Sequence, residues 1–350
     1  MTRSAIDFPH TDPTRIFEHF RGNLGTELLT VAITDFQMFE RLRNGPKSPD
    51  DLREELQLDE RPFVVLLTAM RAMGLIDTNV QGELLLSPVA TEHLIPGGDF
   101  FMGEYVGLAA DSPGVRAMAD RLRNNRPAQA KSDDQGAAFI FREGLESAME
   151  HEASARRLTL ALSGRAKNVA PYLAANANLE QAKCLLDVGG GTGIYSVACL
   201  QRFPQLRAIV WDRPEVLKVA HEFAQEYGVS ERLECRAGDM FADPVPTGCD
   251  VILLSNILHD WDVPDCQKLV NRCAAALPHG GRLLIHDVFL NDALDGPLPI
   301  AYYSATLFTI TEGRAYSAAE YGSWLAKAGL KPQAILPTFI HCGILGGVKD

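Results

Sequence analysis

Leu185-Leu186-Asp187-Val188-Gly189-Gly190-Gly191-Thr192-Gly193-Ile194-Tyr195-Ser196 is the stretch that decides the fold. Apolar residues run into an acid, a glycine-packed turn follows, and a helix-compatible stretch comes next. This is how a buried parallel strand enters a tight loop beneath a nucleoside-bearing ligand. A dinucleotide fingerprint reads G-x-G-x-x-G, its third glycine letting the helix pack closely on its strand. Here the glycines fall at Gly189, Gly191 and Gly193, and the position three after Gly191 is Ile194. The pattern is therefore D-x-G-x-G-x-G, with Asp187 closing the strand. Such a loop lets the amino-acid portion of a ligand lie against bare backbone while a carboxylate holds its ammonium group. S-adenosyl-L-methionine, with an amine, a carboxylate, a sulfonium and a ribose, has that chemistry. An ordinary strand-to-helix turn would use the same glycines for geometry alone.

Two later segments favour the ligand. Ala208-Ile209-Val210-Trp211-Asp212 reads as a second strand ending in an acid, 19 residues past Gly193. Such an acid can accept both ribose hydroxyls. Leu233-Glu234-Cys235-Arg236-Ala237-Gly238-Asp239-Met240-Phe241 reads as a third strand and its exit loop. There Asp239 could accept the adenine amino group, with Met240 covering the ring face. Each acid alone could be a surface carboxylate; three at successive strand ends make a pattern.

The chain has 350 residues, enough for two domains and a substantial core. Its 33 Lys+Arg against 45 Asp+Glu leave a net charge of −12. With no basic run, this argues against nucleic acid or an anionic membrane as partner. No apolar run approaches the roughly 18 residues of a membrane span, and the N-terminal residues do not read as a signal peptide. Seven cysteines without a C-x-x-C pair point to reduced thiols and a cytoplasmic setting. No His/Cys/carboxylate cluster has metal-site spacing, so no metal is expected.

Organisation changes near residue 180. Helical periodicity covers Ile16–Arg21, Gly25–Leu42, Ser48–Leu56 and Arg61–Met73. A polar hairpin then runs from Gly74–Asp77 through Val80–Glu83 to Leu84–Leu86, giving a winged-helix outline. Further helices are predicted at Met102–Leu108, Gly114–Arg123, Gly136–Leu162 and Arg165–Asn176, with a loop at Pro127–Gln135. Strands then alternate with helices: Cys184–Val188, Ala208–Trp211, Arg232–Arg236, Val251–Ser255 and Arg282–Asp287, separated by Ile194–Phe203, Pro214–Tyr227 and Val263–Ala276. The tail, Gln333–Pro337 then Cys342–Val348, reads as a closing hairpin. The expected fold is α/β: a mainly parallel Rossmann-like sheet with an antiparallel C-terminal hairpin, preceded by a helical winged-helix region.

The fourth strand runs into Asn256-Ile257-Leu258-His259-Asp260-Trp261. Ligands of open α/β sheets sit beyond the carboxyl ends of the strands, so His259 shares a rim with the glycine loop. An imidazole is suited to taking a proton from a phenol or enol; the alternative is a histidine that merely packs at a helix entry. The fifth strand ends in Leu284-Ile285-His286-Asp287. Asp287 could accept the other ring N–H of His259 and orient it. Asp260 reads as a cap of the following helix, and His286, on the opposite side of its strand, as structural. Tyr302, Thr306, Phe308 and Ile310, on a later helix, suit a flat, partly apolar acceptor, or simply pack that helix on its neighbours.

Together these residues resemble the plant-type small-molecule O-methyltransferases and their bacterial relatives, over nearly the whole chain. The glycine motif, the ribose acid Asp212, the pair Asp239-Met240 and the base signature Ile257-Leu258-His259-Asp260-Trp261 carry the resemblance, with Leu86-Ser87-Pro88 at the wing exit. The resemblance implies a polar tail over 1–15, a winged-helix dimerisation domain over 16–100, a helical linker and pocket region over 101–180 and a catalytic domain over 181–350. It implies a homodimer through the N-terminal domain, with S-adenosyl-L-methionine as methyl donor and a small aromatic or polyketide-like acceptor. Two departures stand out. Ser255 occupies the place of a lysine, and Ala315 the place of a second glutamate beside the histidine, with Glu312 three residues earlier. The rival readings are N- or C-methyl transfer, a non-methylating decarboxylase or hydroxylase that keeps the cofactor, and a winged-helix regulator sensing S-adenosyl-L-methionine. The last lacks a basic recognition helix, since Arg61–Met73 offers only Arg61 and Arg71.

Overall fold

Three serine–proline pairs, Ser48-Pro49, Ser87-Pro88 and Ser112-Pro113, mark helix starts in the N-terminal half. In the computed structural model, which describes residues 2–125 and 152–350, each serine side chain accepts a first-turn backbone N–H. Each proline sits where a missing N–H costs nothing. The elements of this half are α1 (Thr14–Arg21), α2 (Gly25–Thr34), α3 (Met38–Arg41), α4 (Pro49–Leu56), α5 (Glu60–Ala72), β1 (Ile76–Thr78), β2 (Leu84–Leu86), α6 (Pro88–His93), α7 (Gly103–Gly107) and α8 (Pro113–Asn124). β1 and β2 form the antiparallel wing, Ile76 opposite Leu86. At its tip the Asn79 side chain accepts the N–H groups of Gln81 and Glu83.

The rest of the chain supplies α9 (Glu152–Asn176), β3 (Cys184–Val188), α10 (Ile194–Arg202), β4 (Arg207–Asp212), α11 (Pro214–Glu226), β5 (Leu233–Ala237), β6 (Val251–Ser255), α12 (Val263–Ala276), β7 (Arg282–Leu290), α13 (Leu298–Ile310), β8 (Tyr316–Ser317), α14 (Ala318–Lys327), β9 (Leu330–Pro332), β10 (Leu336–Pro337) and β11 (Cys342–Lys349). Strand order is β10-β11-β7-β6-β3-β4-β5, with β8 on β7 and β9 on β11. The five strands from β3 to β7 pair in parallel; β11 runs antiparallel to β7, β9 and β10. This is the expected Rossmann-like sheet. Leu185, Leu186 and Val188 are fully buried, as a parallel strand covered on both faces requires.

The chain divides into two compact units. Within the described residues, the sheet unit takes 2–15, 152–289 and Tyr316–Asp350; the helical unit takes 16–125 together with Leu290–Ala315. The core of the helical unit gathers Leu28, Met38, Phe39, Leu52, Leu66 and Met70 with Ala305 and Phe308 of α13. Among the described residues no helix is long and apolar enough to cross a membrane, and no group of three or more His, Cys, Asp or Glu could hold a metal ion.

Several elements differ from expectation. The helix predicted over Gly25–Leu42 breaks after Thr34, because Gln37 takes a left-handed conformation (φ 49°) before α3. Arg165–Asn176 is not separate from what precedes it: α9 runs unbroken through Gly164 and Pro171. The tail places two short strands, β9 and β10, on β11 instead of one hairpin partner. Helices α6 and α14 were not anticipated. The loop predicted at Pro127–Gln135 and the first part of the helix predicted over Gly136–Leu162 lie outside the described residues.

Candidate active site

β3 and β6 lie side by side, with β4 continuing the sheet beyond β3 and β7 beyond β6. Chain order reverses between them, so the connections leaving β3 and β6 diverge and open a crevice past their carboxyl ends. The glycine loop leaves β3, and the turn carrying His259 leaves β6. A Cβ placed on Gly189 would lie 2.5 Å from Cδ1 of Ile257, so loop and turn pack directly on each other.

Asp187 is fully buried at the end of β3. Its Oδ2 accepts the Ser196 hydroxyl at 2.8 Å, whereas Oδ1 is buried without a partner among the described residues. Burial pushes its pKa up to about 7, against the lowering effect of the Ser196 bond. A Cβ on Gly190 would sit 2.7 Å from the Asp187 carboxyl carbon, so the loop closes over the acid with no room for a side chain. Gly191 is the opposite case: its φ is +61° and nothing lies within 4 Å of its missing Cβ. Bare backbone in open space beside an orphaned buried carboxylate fits a ligand's ammonium-bearing portion. Gly193, φ +68°, stands against Val210 and starts α10.

Asp212, ending β4, accepts the Gly191 N–H at 2.9 Å and the Arg213 N–H at 2.7 Å, tying the acid to the glycine loop. Burial raises its pKa despite these two bonds. Asp239 turns the chain after β5, Oδ1 accepting the N–H groups of Phe241 (2.7 Å) and Ala242 (3.1 Å). Met240 is half-buried against the core of the sheet unit.

His259 stands in a single 3-10 turn, Leu258–Asp260, and is 4% exposed. Its Nδ1 lies 2.6 Å from Asp287 Oδ1. The carboxylate is itself held: Oδ1 also accepts the Val288 N–H at 2.8 Å, and Oδ2 accepts the Tyr321 hydroxyl at 3.1 Å. Burial works against the imidazolium, but Asp287 and then Asp260 outweigh it, and the pKa of His259 rises. Burial likewise works against the Asp287 anion, and His259 outweighs it, so Asp287 is held low. The pair is an oriented imidazole–carboxylate couple; a proton on Nδ1, facing the carboxylate, would leave Nε2 as the basic atom.

Asp260 does not cap α12, contrary to expectation. Asp262 does, accepting the Val263 N–H at 2.8 Å. Asp260 instead places Oδ1 3.6 Å from His259 Nε2, and burial pushes its pKa up to about 6. His286 is buried between Ser255 Oγ (2.8 Å from Nδ1) and Thr338 Oγ1 (3.2 Å from Nε2), with its pKa pressed down to about 3 by burial and then by Arg165. It is a neutral structural histidine.

Three residues packed around the candidate site are not marked by any sequence signal used above. Tyr321, on α14, holds Asp287, and Tyr316 donates its hydroxyl to Trp261 O at 2.6 Å, pinning the turn after His259. The Ser317-x-x-Glu320 capping box was the available signal for that helix. Arg165, on α9, donates to Asn256 Oδ1 at 2.8 Å and reaches Cys342 Sγ at 2.6 Å. It brings a positive charge beside Tyr195, His286 and the dyad. No local pattern marks it.

The four acceptor candidates belong to α13 of the helical unit. Phe308 is 1% exposed and lies in that unit's core, with the Arg61 guanidinium 4.6 Å from its ring centroid. Tyr302, half-buried, packs its hydroxyl end against Gly25. Thr306 donates to Tyr302 O at 3.2 Å, and both Thr306 and Ile310 are half-buried. Ala315 is buried, its N–H donated to Ser304 Oγ at 3.1 Å, and Glu312 is half-buried.

Comparison with known proteins gives a consistent result. The O-methyltransferase domain family matches residues 117–331. The 3-hydroxy-5-methyl-1-naphthoate 3-O-methyltransferase of Streptomyces sahachiroi is 34% identical over 319 residues, covering 91% of this chain and 89% of that protein. The acetylserotonin O-methyltransferase of Bos taurus is 35% identical over 343 residues, covering 95% and 94%. Among solved structures, an O-methyltransferase family 2 protein of Planctomyces limnophilus DSM 3776, in complex with apigenin, superposes with a TM-score of 0.89 at 46% identity, covering 100% of this chain and 99% of that one. The chain belongs to the O-methyltransferase domain family and is an S-adenosyl-L-methionine-dependent O-methyltransferase.

Proposed function

We propose that His259 is the general base of this methyltransferase and that the acceptor is a flat phenol. The observation that carries the reading is the 2.6 Å contact between His259 Nδ1 and Asp287 at the exit of the strand beside the glycine loop. Asp287 fixes the tautomer, so Nε2 takes the acceptor's hydroxyl proton while the neighbouring carboxylate stabilises the imidazolium that forms. S-adenosyl-L-methionine supplies an electrophilic methyl group on a sulfonium sulfur. Asp187 pairs with the ammonium group of that donor, Gly191 lets it approach the backbone, and Gly189 and Gly193 shape the loop. Asp212 takes the ribose hydroxyls, Asp239 the adenine amino group, and Met240 the ring face; the Arg165 guanidinium gives the donor's carboxylate an opposite charge. Tyr302, Thr306 and Ile310 supply acceptor contacts, with Phe308 supporting their helix from the core.

The phenolic acceptor is supported by the 46% identical protein in complex with apigenin and by the naphthoate 3-O-methyltransferase. We also propose a homodimer built on the helical unit, where Ile16, Phe20, Tyr105 and Leu108 expose large apolar side chains (70%, 77%, 74% and 80%). The decisive experiment follows S-adenosylhomocysteine release against a panel of flavones, hydroxynaphthoates and simple phenols. His259→Ala is expected to lower turnover by about 10²–10⁴-fold with donor affinity nearly unchanged. Full turnover in that variant removes the general base from the account.

A further inference from the structure

Two cysteines meet at the amino-terminal edge of the sheet, the length of β3 away from the glycine loop. Cys184 opens β3, and Cys249 stands two residues before β6. Cys184 is half-buried and Cys249 buried, and both are free thiols. Their Sγ atoms lie 2.6 Å apart, nearer to the ~2.05 Å of a sulfur–sulfur bond than to ordinary non-bonded spacing. Extended by one step, the β3–β6 register sets Cys184 opposite Asp250, whose N–H donates to Cys184 O at 3.2 Å, so Cys249 lies one residue off along the neighbouring chain. With adjacent strands about 4.8 Å apart and a rise of roughly 3.3 Å per residue, that diagonal spans roughly 6 Å, inside the ~4.4–6.8 Å Cα range that disulfides bridge.

The surroundings make the two thiols unequal. The contact with Cys249 holds Cys184 below the usual thiol range against burial and against Asp250 and Glu234, with Arg207 assisting. The same contact, followed by burial, pushes Cys249 up. Cys184 is therefore both the more accessible sulfur and the readier thiolate, the pairing expected of an attacking and a resolving cysteine.

We propose that Cys184 and Cys249 form a reversible disulfide by exchange with a low-molecular-weight disulfide such as oxidised glutathione. The Cys184 thiolate attacks one sulfur of the small disulfide, whose S–S bond breaks, and one thiol leaves carrying a proton from solvent. Cys249 then releases its proton to solvent and attacks Cys184 Sγ. The mixed disulfide breaks, and the second small thiol departs. Two protein thiols are oxidised and one small disulfide is reduced to two thiols. The product staples β3 to β6 across a separation of 65 residues and stabilises the fold by restricting the unfolded chain.

The test equilibrates the full chain across glutathione redox buffers, traps free thiols by alkylation, and maps peptides by mass spectrometry. The expected result is a Cys184–Cys249 cross-linked peptide that grows with the oxidised fraction. A thermal midpoint raised by several degrees should accompany it, both changes reversing with dithiothreitol. Cys249→Ser should hold Cys184 as a glutathione adduct without a cross-link, and Cys184→Ser should leave Cys249 unmodified. A wild-type chain whose two thiols stay alkylatable in the most oxidising buffer overturns the proposal. So does a map in which other cysteines pair instead. The wild-type map decides even where a serine variant fails to fold.

Discussion

At the residue scale, the proposed base is defined by the charges around it. His259 has Asp287 on Nδ1 and Asp260 3.6 Å from Nε2, and both carboxylates favour the imidazolium, while burial and Arg165 oppose it. A base must be unprotonated to act, so turnover should fall as pH drops through a value above the usual histidine 6.5. Asp260→Asn removes one of the charges holding the proton. The acid limb of the kcat/KM profile should then move to lower pH, with Asp287 still orienting the ring. An unmoved limb would show that Asp260 does not bear on the base. His259 and Asp287 were legible in the sequence because each follows a strand whose apolar run is unmistakable, and strand ends share one rim. Tyr321 and Arg165 were not, because they arrive from α14 and α9 by tertiary packing that no local pattern encodes. Asp260 was misread because the helix-cap rule applied equally to Asp262, two residues on.

At the element scale, the glycine loop is set by two different demands. Gly191 answers to open space, whereas Gly190 answers to the Asp187 carboxylate immediately beneath it. Spacing singles out Gly189, Gly191 and Gly193 and passes over Gly190, whose missing Cβ faces the Asp187 carboxylate. Gly190→Ala should displace the Asp187 carboxylate and weaken donor binding by about tenfold or more, a cost of roughly 1–3 kcal/mol typical of overpacking. Calorimetric titration with S-adenosylhomocysteine measures it, and wild-type affinity in that variant would show that the loop can shift aside. Among the parallel strands, β3, β4, β6 and β7 were readable from the apolar runs that burial on both faces demands, whereas β5, at the sheet edge, is mostly unburied and lacks such a run. Helix ends were less readable. Gln37 breaks the α2–α3 stretch in a left-handed conformation without being a glycine, while Gly164 and Pro171 sit inside α9 without ending it. In each case the tertiary setting overrides local propensity.

At the scale of the whole molecule, acidity and apolar exposure point the same way. A net charge of −12 does not suit a nucleic-acid surface, and the wing has a structural role open to it instead. Light scattering coupled to size exclusion should return twice the chain mass. Replacing Phe20 and Leu108, 77% and 80% exposed, with charged residues should shift the mass towards that of one chain without unfolding it. An active wild-type monomer would count against the dimer.

The helical unit is written in two pieces of the sequence, 16–125 and Leu290–Ala315. Its core counts Ala305 and Phe308 among its members, and Arg61 donates to the carbonyls of Thr311 and Gly313, both at 3.1 Å. On the ribosome, then, residues 16–125 emerge well before the segment Leu290–Ala315 that completes their unit. Its apolar cluster waits through the synthesis of five of the sheet's nine strands, β3 to β7, before α13 exists to complete it. During that interval the nascent protein carries an unsealed hydrophobic surface, and the speed of elongation through residues 126–289 sets how long that surface stays uncovered.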